Sequence, residues 1–228
     1  MIWIIFGFTL VISLITAGMV KSAFFKYKQI PVRSGLTGAQ AANRILDAAG
    51  IHDVEIEAAN GFLGDHYDPI HKKLVLSEEI YHGQSVAALS IAAHECGHAI
   101  QHKIAYAPLQ WRMASVGITN YANQVVTWLP IIGMFTGLIA TYTGFLIMGI
   151  GWGVIMAFNL VTLPVEFDAS RRAKLILPKM NMITEGEEMR GVHKMLNAAA
   201  WTYVAAFITS LLYTLYYLLP FILGRRDD

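Results

Sequence analysis

Ile91-Ala92-Ala93-His94-Glu95-Cys96-Gly97-His98-Ala99-Ile100-Gln101-His102 is the stretch on which the reading of this chain turns. Its centre is H-E-x-x-H. On a helix, residues four apart share a face, so His94 and His98 can reach one ion. Glu95 lies one residue round from His94. It flanks the ion rather than binding it and can act on a water held there, the zinc-protease arrangement. Ser85 opens an apolar-periodic run through Val86, Leu89, Ile91 and Ala92 without a proline, so the motif falls inside a helix. Two histidines and a carboxylate on or beside one apolar face need a reason to be there, because burying polar groups is costly.

Composition points to a membrane. Of the 228 residues 55% are apolar and 14% charged, against about 25% charged in ordinary soluble domains. A formal net charge of +1, with no basic stripe, argues against nucleic acid as a partner. The single cysteine, Cys96, cannot form an internal disulfide. It sits two residues from His94, off the histidine face, and reads as a small buried filler rather than a ligand.

Four apolar runs follow from the chain in order. Met1 to Val20 carries no charge and is long enough to span a bilayer. It lacks the basic start and small-residue cleavage site of a secretory signal, so it reads as a retained anchor. Lys21, Lys26, Lys28 and Arg33 come next and place the following region on the cytoplasmic side. No charged side chain occurs from Met113 to Val165, and from Val125 onward this run has room for a helical hairpin, Val125–Ala140 and Gly144–Leu163. Ala198 to Leu223 is the last run, ending at Arg225-Arg226-Asp227-Asp228. The four-span count puts 15 of the 17 Lys and Arg inside, with Arg225 and Arg226 outside.

Between the anchor and the hairpin lies a small α+β region. Thr37 with Gln40 makes a capping box, Leu36, Ala41, Ala42, Ile45 and Leu46 form a helical stripe, and Gly50 ends it. Val54-Glu55-Ile56-Glu57 alternates as a strand, Asn60-Gly61 is a turn, and Lys73-Leu74-Val75-Leu76 is a second strand, with Ser77 capping a short helix. Gly64-Asp65-His66-Tyr67-Asp68-Pro69 reads as an Asp-Pro turn supporting the wall of the site rather than a second metal site. A strand edge beside the metal helix could pair with an extended peptide.

A catalytic zinc takes three protein ligands and leaves one position open. Gln101 and Ile104 break the pattern that would supply a third histidine downstream, and His102 lies too far along the helix axis to share the ion. Glu166, just after Pro164, is the preferred third ligand, with Asp168 as runner-up. Pro164 suits the first turn of a new helix or a kink at the end of a span. A two-span hairpin returns the chain to the side it left, so Glu166 emerges on the same side as His94 and His98.

The stretches Leu36-Thr37-Gly38, Asp65 to Pro69, Leu74 to Ser77, Ala93 to Gln101 and Thr162-Leu163-Pro164-Val165-Glu166-Phe167-Asp168-Ala169-Ser170-Arg171-Arg172-Ala173 resemble the YugP-like neutral zinc metallopeptidases of bacterial membranes. The resemblance implies an integral-membrane gluzincin, more distantly similar to HtpX-type membrane proteases, and supports Glu166 as third ligand. In that wider group an Asp often follows the ligand Glu by four residues and orients a zinc histidine. Ser170 holds that position here, so Asp168 or a backbone carbonyl enters as an alternative. His193, Tyr203 or an arginine is a candidate for a second oxyanion donor, although a lone histidine near a span end is more often interfacial.

The expected architecture is a multi-pass α-helical membrane protein with a small α+β zincin-like catalytic region. Its parts are an anchor over 1–21, the catalytic region over 22–124, a hairpin over 125–164, a third-ligand helix and cytoplasmic segment over 165–194, a span over 195–223 and a tail over 224–228. The expected function is a zinc endopeptidase of the cell membrane. Glu95 is its general base, His94, His98 and Glu166 hold Zn²⁺, and the site faces the cytoplasm. Its substrates are membrane-associated polypeptides, in quality control or processing. A non-catalytic zinc-binding scaffold is the alternative. A metal transporter needs ionisable residues within its spans, and residues 113–165 have none.

Overall fold

In the computed structural model, which describes residues 1–59, 64–222 and 224, helices dominate and one small sheet interrupts them. The expected Asn60-Gly61 turn and the Arg225-Arg226 tail lie outside the described residues. The elements are α1 (Ile2–Tyr27), α2 (Gly38–Ala48), β1 (Glu55–Ala59), β2 (His66–Asp68), β3 (Lys73–Ser77), α3 (Glu78–Tyr81), α4 (Val86–Lys103), α5 (Ala107–Thr136), α6 (Tyr142–Lys179) and α7 (Glu187–Ile222). They divide into two compact units. One comprises 1–15, 111–163 and 202–228; the other comprises 16–110 and 164–201.

The second unit carries the sheet and the motif helix. Thr37 caps α2 with its side chain while Gln40 reaches back to the cap, the reciprocal box that satisfies two otherwise orphaned N–H donors. Ala41, Ala42, Ile45 and Leu46 then bury one face, and Gly50, at φ +66°, turns the chain out of the helix. In the sheet, ordered β1-β3-β2, β3 runs parallel to β1 and antiparallel to β2. Leu74 and Leu76 of β3 are fully buried, together with Leu89, Ala92 and Cys96 of α4 and Ala173 and Leu177 of α6. Cys96 is thus a core filler, its Sγ 3.7 Å from the Ala42 carbonyl of α2. Ser77 occupies the cap position of α3 but makes no side-chain cap bond; its hydroxyl donates to Asp65 Oδ1 instead.

Two expectations are corrected, and a third is met in part. The Asp65–Pro69 stretch is not only a turn: His66–Asp68 forms β2, with Tyr67 paired to Leu74. The turn comes immediately after it, where Asp68 Oδ1 accepts the N–H groups of Ile70 and His71. Pro164 does not start a helix. It lies inside α6, so Glu166 is mid-helix rather than in a first turn. An apolar helix tolerates an interior proline when neighbouring groups re-satisfy the backbone it frees. Finally, among the described residues three helices, α1, α6 and α7, are long and apolar enough to cross a membrane. The fourth expected span falls in α5. Its N-terminal part carries Arg112, Asn120, Asn123 and Gln124, and the stretch from Val125 to Thr136 carries no charge.

In the first unit, glycines of α6 let its neighbours approach. A Cβ at Gly149 would meet Leu218 of α7, and one at Gly151 would meet Val126 of α5. Trp152 stacks on Tyr213 at 4.5 Å, and Asn159 donates to Ser210 and to the Ala206 carbonyl. These contacts give the Asn159 amide partners on the neighbouring helix.

Candidate metal centre

α4 begins at Ser85, whose side chain accepts the N–H of Ala88. Its buried face runs through Leu89, Ala92, Ala93 and Cys96. The helical repeat then brings His94 and His98 to one side, their rings 4.8 Å apart and near perpendicular. The third element is α6. Val165, Ala169, Ala173 and Leu177 are fully buried, and that stripe draws Glu166 inside with them. At Gly97 the two helices approach so closely that a Cβ would stand 2.9 Å from the Ala169 carbonyl oxygen.

The three side chains converge. Glu166 Oε2 lies 3.2 Å from His94 Nε2 and 3.6 Å from His98 Nε2. All the candidate ligand atoms fall within 4.8 Å of one another. Two donors about 2.1 Å from a tetrahedral zinc stand about 3.4 Å apart, and the two measured separations bracket that distance. A carboxylate only 2% exposed needs cationic partners to remain there. Two imidazole nitrogens and one carboxylate oxygen are the His₂Glu donor set, so His94, His98 and Glu166 are positioned to hold a metal ion, and the residues fit zinc.

Glu95 is buried and takes no place in that donor set. Its Oε2 accepts the backbone N–H of Tyr67, 3.1 Å away on β2. Burial pushes its carboxyl above the ordinary range, and the Glu166 and Asp65 carboxylates add to this, while the two imidazoles oppose it. His98 is held above the usual imidazole range: burial alone would lower it, but contacts with Glu166, Glu95 and Gln101 outweigh burial.

Around this centre the outer nitrogens of both rings are occupied. His94 Nδ1 stands 3.2 Å from Ser170 Oγ, and His98 Nδ1 stands 3.0 Å from Gln101 Oε1. Asp168 is not among the converging ligand atoms; it accepts from Gln101 Nε2 at 3.0 Å and from the guanidinium groups of Arg171 and Arg172. His102 meets the Tyr67 hydroxyl at 2.9 Å. With Tyr67 it lines a cavity of about 550 Å³ that also includes Ala99, Asp53, Lys72 and Lys103. His193 is exposed on α7, and Tyr203 is half-buried in the other unit.

Two contributors escape sequence reasoning. Tyr67 acts through its backbone, which its identity does not advertise. Gln101 is a fully buried amide one turn past His98, and in the sequence it shows only as a residue that breaks the third-histidine pattern.

A family model described as "putative neutral zinc metallopeptidase" matches residues 2–222. A Bacillus subtilis (strain 168) protein described as "putative membrane protease YugP" is 43% identical over 214 residues, covering 92% of this chain and 91% of that protein. No solved structure matches.

Proposed function

From the premise that this chain belongs to the neutral zinc metallopeptidase family, we propose that it is a membrane-anchored endopeptidase of the gluzincin type. The observation that carries this reading is the convergence of His94, His98 and Glu166 within 4.8 Å, with Glu95 beside them on the same helix. His94 and His98 supply nitrogen ligands to zinc and Glu166 an oxygen. Zinc held there supplies Lewis acidity, which activates a water and polarises a peptide carbonyl.

The remaining steps belong to the chain. Tyr67 N–H fixes Glu95 at Oε2, so Oε1 is the oxygen that takes the proton from the attacking water. Its elevated affinity for a proton, from burial, suits a general base working near neutral pH. Glu95 then returns the proton to the amide nitrogen as the C–N bond breaks. Ser170 and Gln101 keep the two ligand rings in place from outside.

The substrates are polypeptides in or next to the bilayer, and the role is quality control or processing. Three helices of membrane-spanning length and apolarity support this setting, as does the likeness to a membrane protease. Lys21, Lys26, Lys28 and Arg33, directly after the first apolar run, support a multi-pass arrangement with the site on the cytoplasmic side. The test is hydrolysis of an unfolded polypeptide by the full chain in detergent or nanodiscs. Wild type cleaves it, Glu95→Gln does not, and both bind zinc. Equal activity of the two proteins would remove the enzyme reading and leave a zinc-binding scaffold.

A further inference from the structure

We propose that Gln101 is a positioning residue that fixes which nitrogen of His98 carries the proton and ties that ring to the backbone beside Glu166. The inference rests on the metalloprotease reading above and adds to it a group that sets one ligand's tautomer. Gln101 is fully buried, and its amide is spoken for on both sides. Nε2 donates to the Val165 carbonyl at 2.8 Å and to Asp168 Oδ2 at 3.0 Å. Both are acceptors only: one is a backbone carbonyl, the other a carboxylate that also receives Arg171 and Arg172. Reversing the amide would set its oxygen against two oxygens. Oε1 therefore faces His98 Nδ1, at 3.0 Å, and can only accept.

The consequence is chemical. A neutral imidazole carries one N–H, and Gln101 Oε1 claims it at Nδ1, leaving the Nε2 lone pair for the ion. Nε2 is also the nitrogen nearer Glu166, 3.6 Å from its Oε2. Without Gln101 that carboxylate would draw the proton to Nε2, where it blocks the metal. The same amide holds the carbonyl of Val165, the residue before Glu166. One side chain of α4 thus fixes the ring of one ligand and the backbone that carries another.

The test uses the full chain in detergent or nanodiscs with ¹⁵N-labelled histidine. His98 is assigned by comparison with His98→Asn. Spectra are taken metal-free at a pH where the ring is neutral, and zinc affinity is measured separately by chelator competition. Wild type is expected to show His98 protonated at Nδ1. Gln101→Leu is expected to move the proton toward Nε2 and weaken zinc binding about 10- to 100-fold. Gln101→Glu, buried against the Asp168 carboxylate and therefore protonated, keeps an oxygen acceptor towards His98 and an O–H donor towards Val165 and Asp168; it is expected to keep the Nδ1–H form, a rescue that mere filling of space would not give.

Wild type protonated at Nε2 overturns the proposal. So does Gln101→Leu binding zinc as tightly as wild type. Should the Leu variant fail to fold, the Glu variant decides, and a shift of its proton to Nε2 overturns the proposal. A wild type that binds no zinc in the same titration overturns the function proposed above, a failure distinct from an unchanged Leu variant beside a zinc-binding wild type.

Discussion

Gly97→Ala tests whether the approach of α4 to α6 sets the metal site. The added Cβ would stand 2.9 Å from the Ala169 oxygen, 3.0 Å from its Cα and 3.2 Å from its carbonyl carbon. All three are backbone atoms, so no rotamer change relieves them. Ordinary contact requires a separation of about half an ångström more. Alanine gains about 1 kcal/mol in helix propensity over glycine, but overpacking a tight contact costs about 1–3 kcal/mol. The net effect on stability is therefore small to moderate.

The larger effect falls on the metal. Ala169 lies between Glu166, a proposed ligand, and Ser170, which touches His94. Zinc–ligand distances hold to about 0.2 Å, less than half of the displacement required. We expect zinc affinity to fall at least about tenfold, about 1.4 kcal/mol, with a melting temperature close to wild type. Chelator competition gives the affinity and a thermal scan in the same detergent gives the stability. Gly153→Ala is the control, since a Cβ there meets only a Thr214 methyl at 3.9 Å. Wild-type zinc affinity in Gly97→Ala would refute the reasoning.

Other expectations are narrower. Glu95→Gln should retain zinc while hydrolysis falls by about 10²- to 10⁴-fold; a variant that loses both together would assign Glu95 to the metal instead. Tyr67→Phe removes the hydroxyl bonded to His102 and should cost about 0.5–1.5 kcal/mol of stability without changing zinc affinity, because only the backbone N–H of Tyr67 reaches Glu95; a large affinity loss would contradict this. The His71 ring, with backbone N–H groups, holds the Asp68 carboxyl down to about 2. That contribution to stability is present above the ordinary carboxylate range and is lost as pH falls toward 2. In His71→Ala the Asp68 titration, followed by NMR, should move up, and an unmoved titration would remove His71 as the cause.

The elements legible in the sequence are those set by local rules. Thr37 and Gln40 announce the capping box of α2, and Ser85 the start of α4, because caps depend on a few neighbouring residues. His94 and His98 fall together because helical spacing alone decides it. Glu166 needed more: its place beside them depends on α6 packing against α4 through Gly97 and Ala169, a tertiary fact that the need for a third ligand and the hairpin reading anticipated and the family resemblance supported. β2 was hidden because its turn chemistry masked a three-residue strand that pairing with β3 completes. Pro164 suggested a helix start, but it is read locally and α6 continues through it. The expected span at α5 is the least legible part of the topology, because Asn120, Asn123 and Gln124 precede an apolar stretch that begins only at Val125, and α5 is not among the three described helices long and apolar enough to cross a membrane. Gln101 was legible only as a break in another motif's pattern, since a buried amide's role depends on partners 64 and 67 residues away.

The most direct test of the account is the zinc content and affinity of purified wild type against Glu166→Ala, in the same membrane mimetic. The account predicts one zinc per wild-type chain and a Glu166→Ala protein that stays folded but loses its metal to a chelator that wild type resists. A Glu166→Ala protein that holds one zinc with wild-type affinity would contradict it.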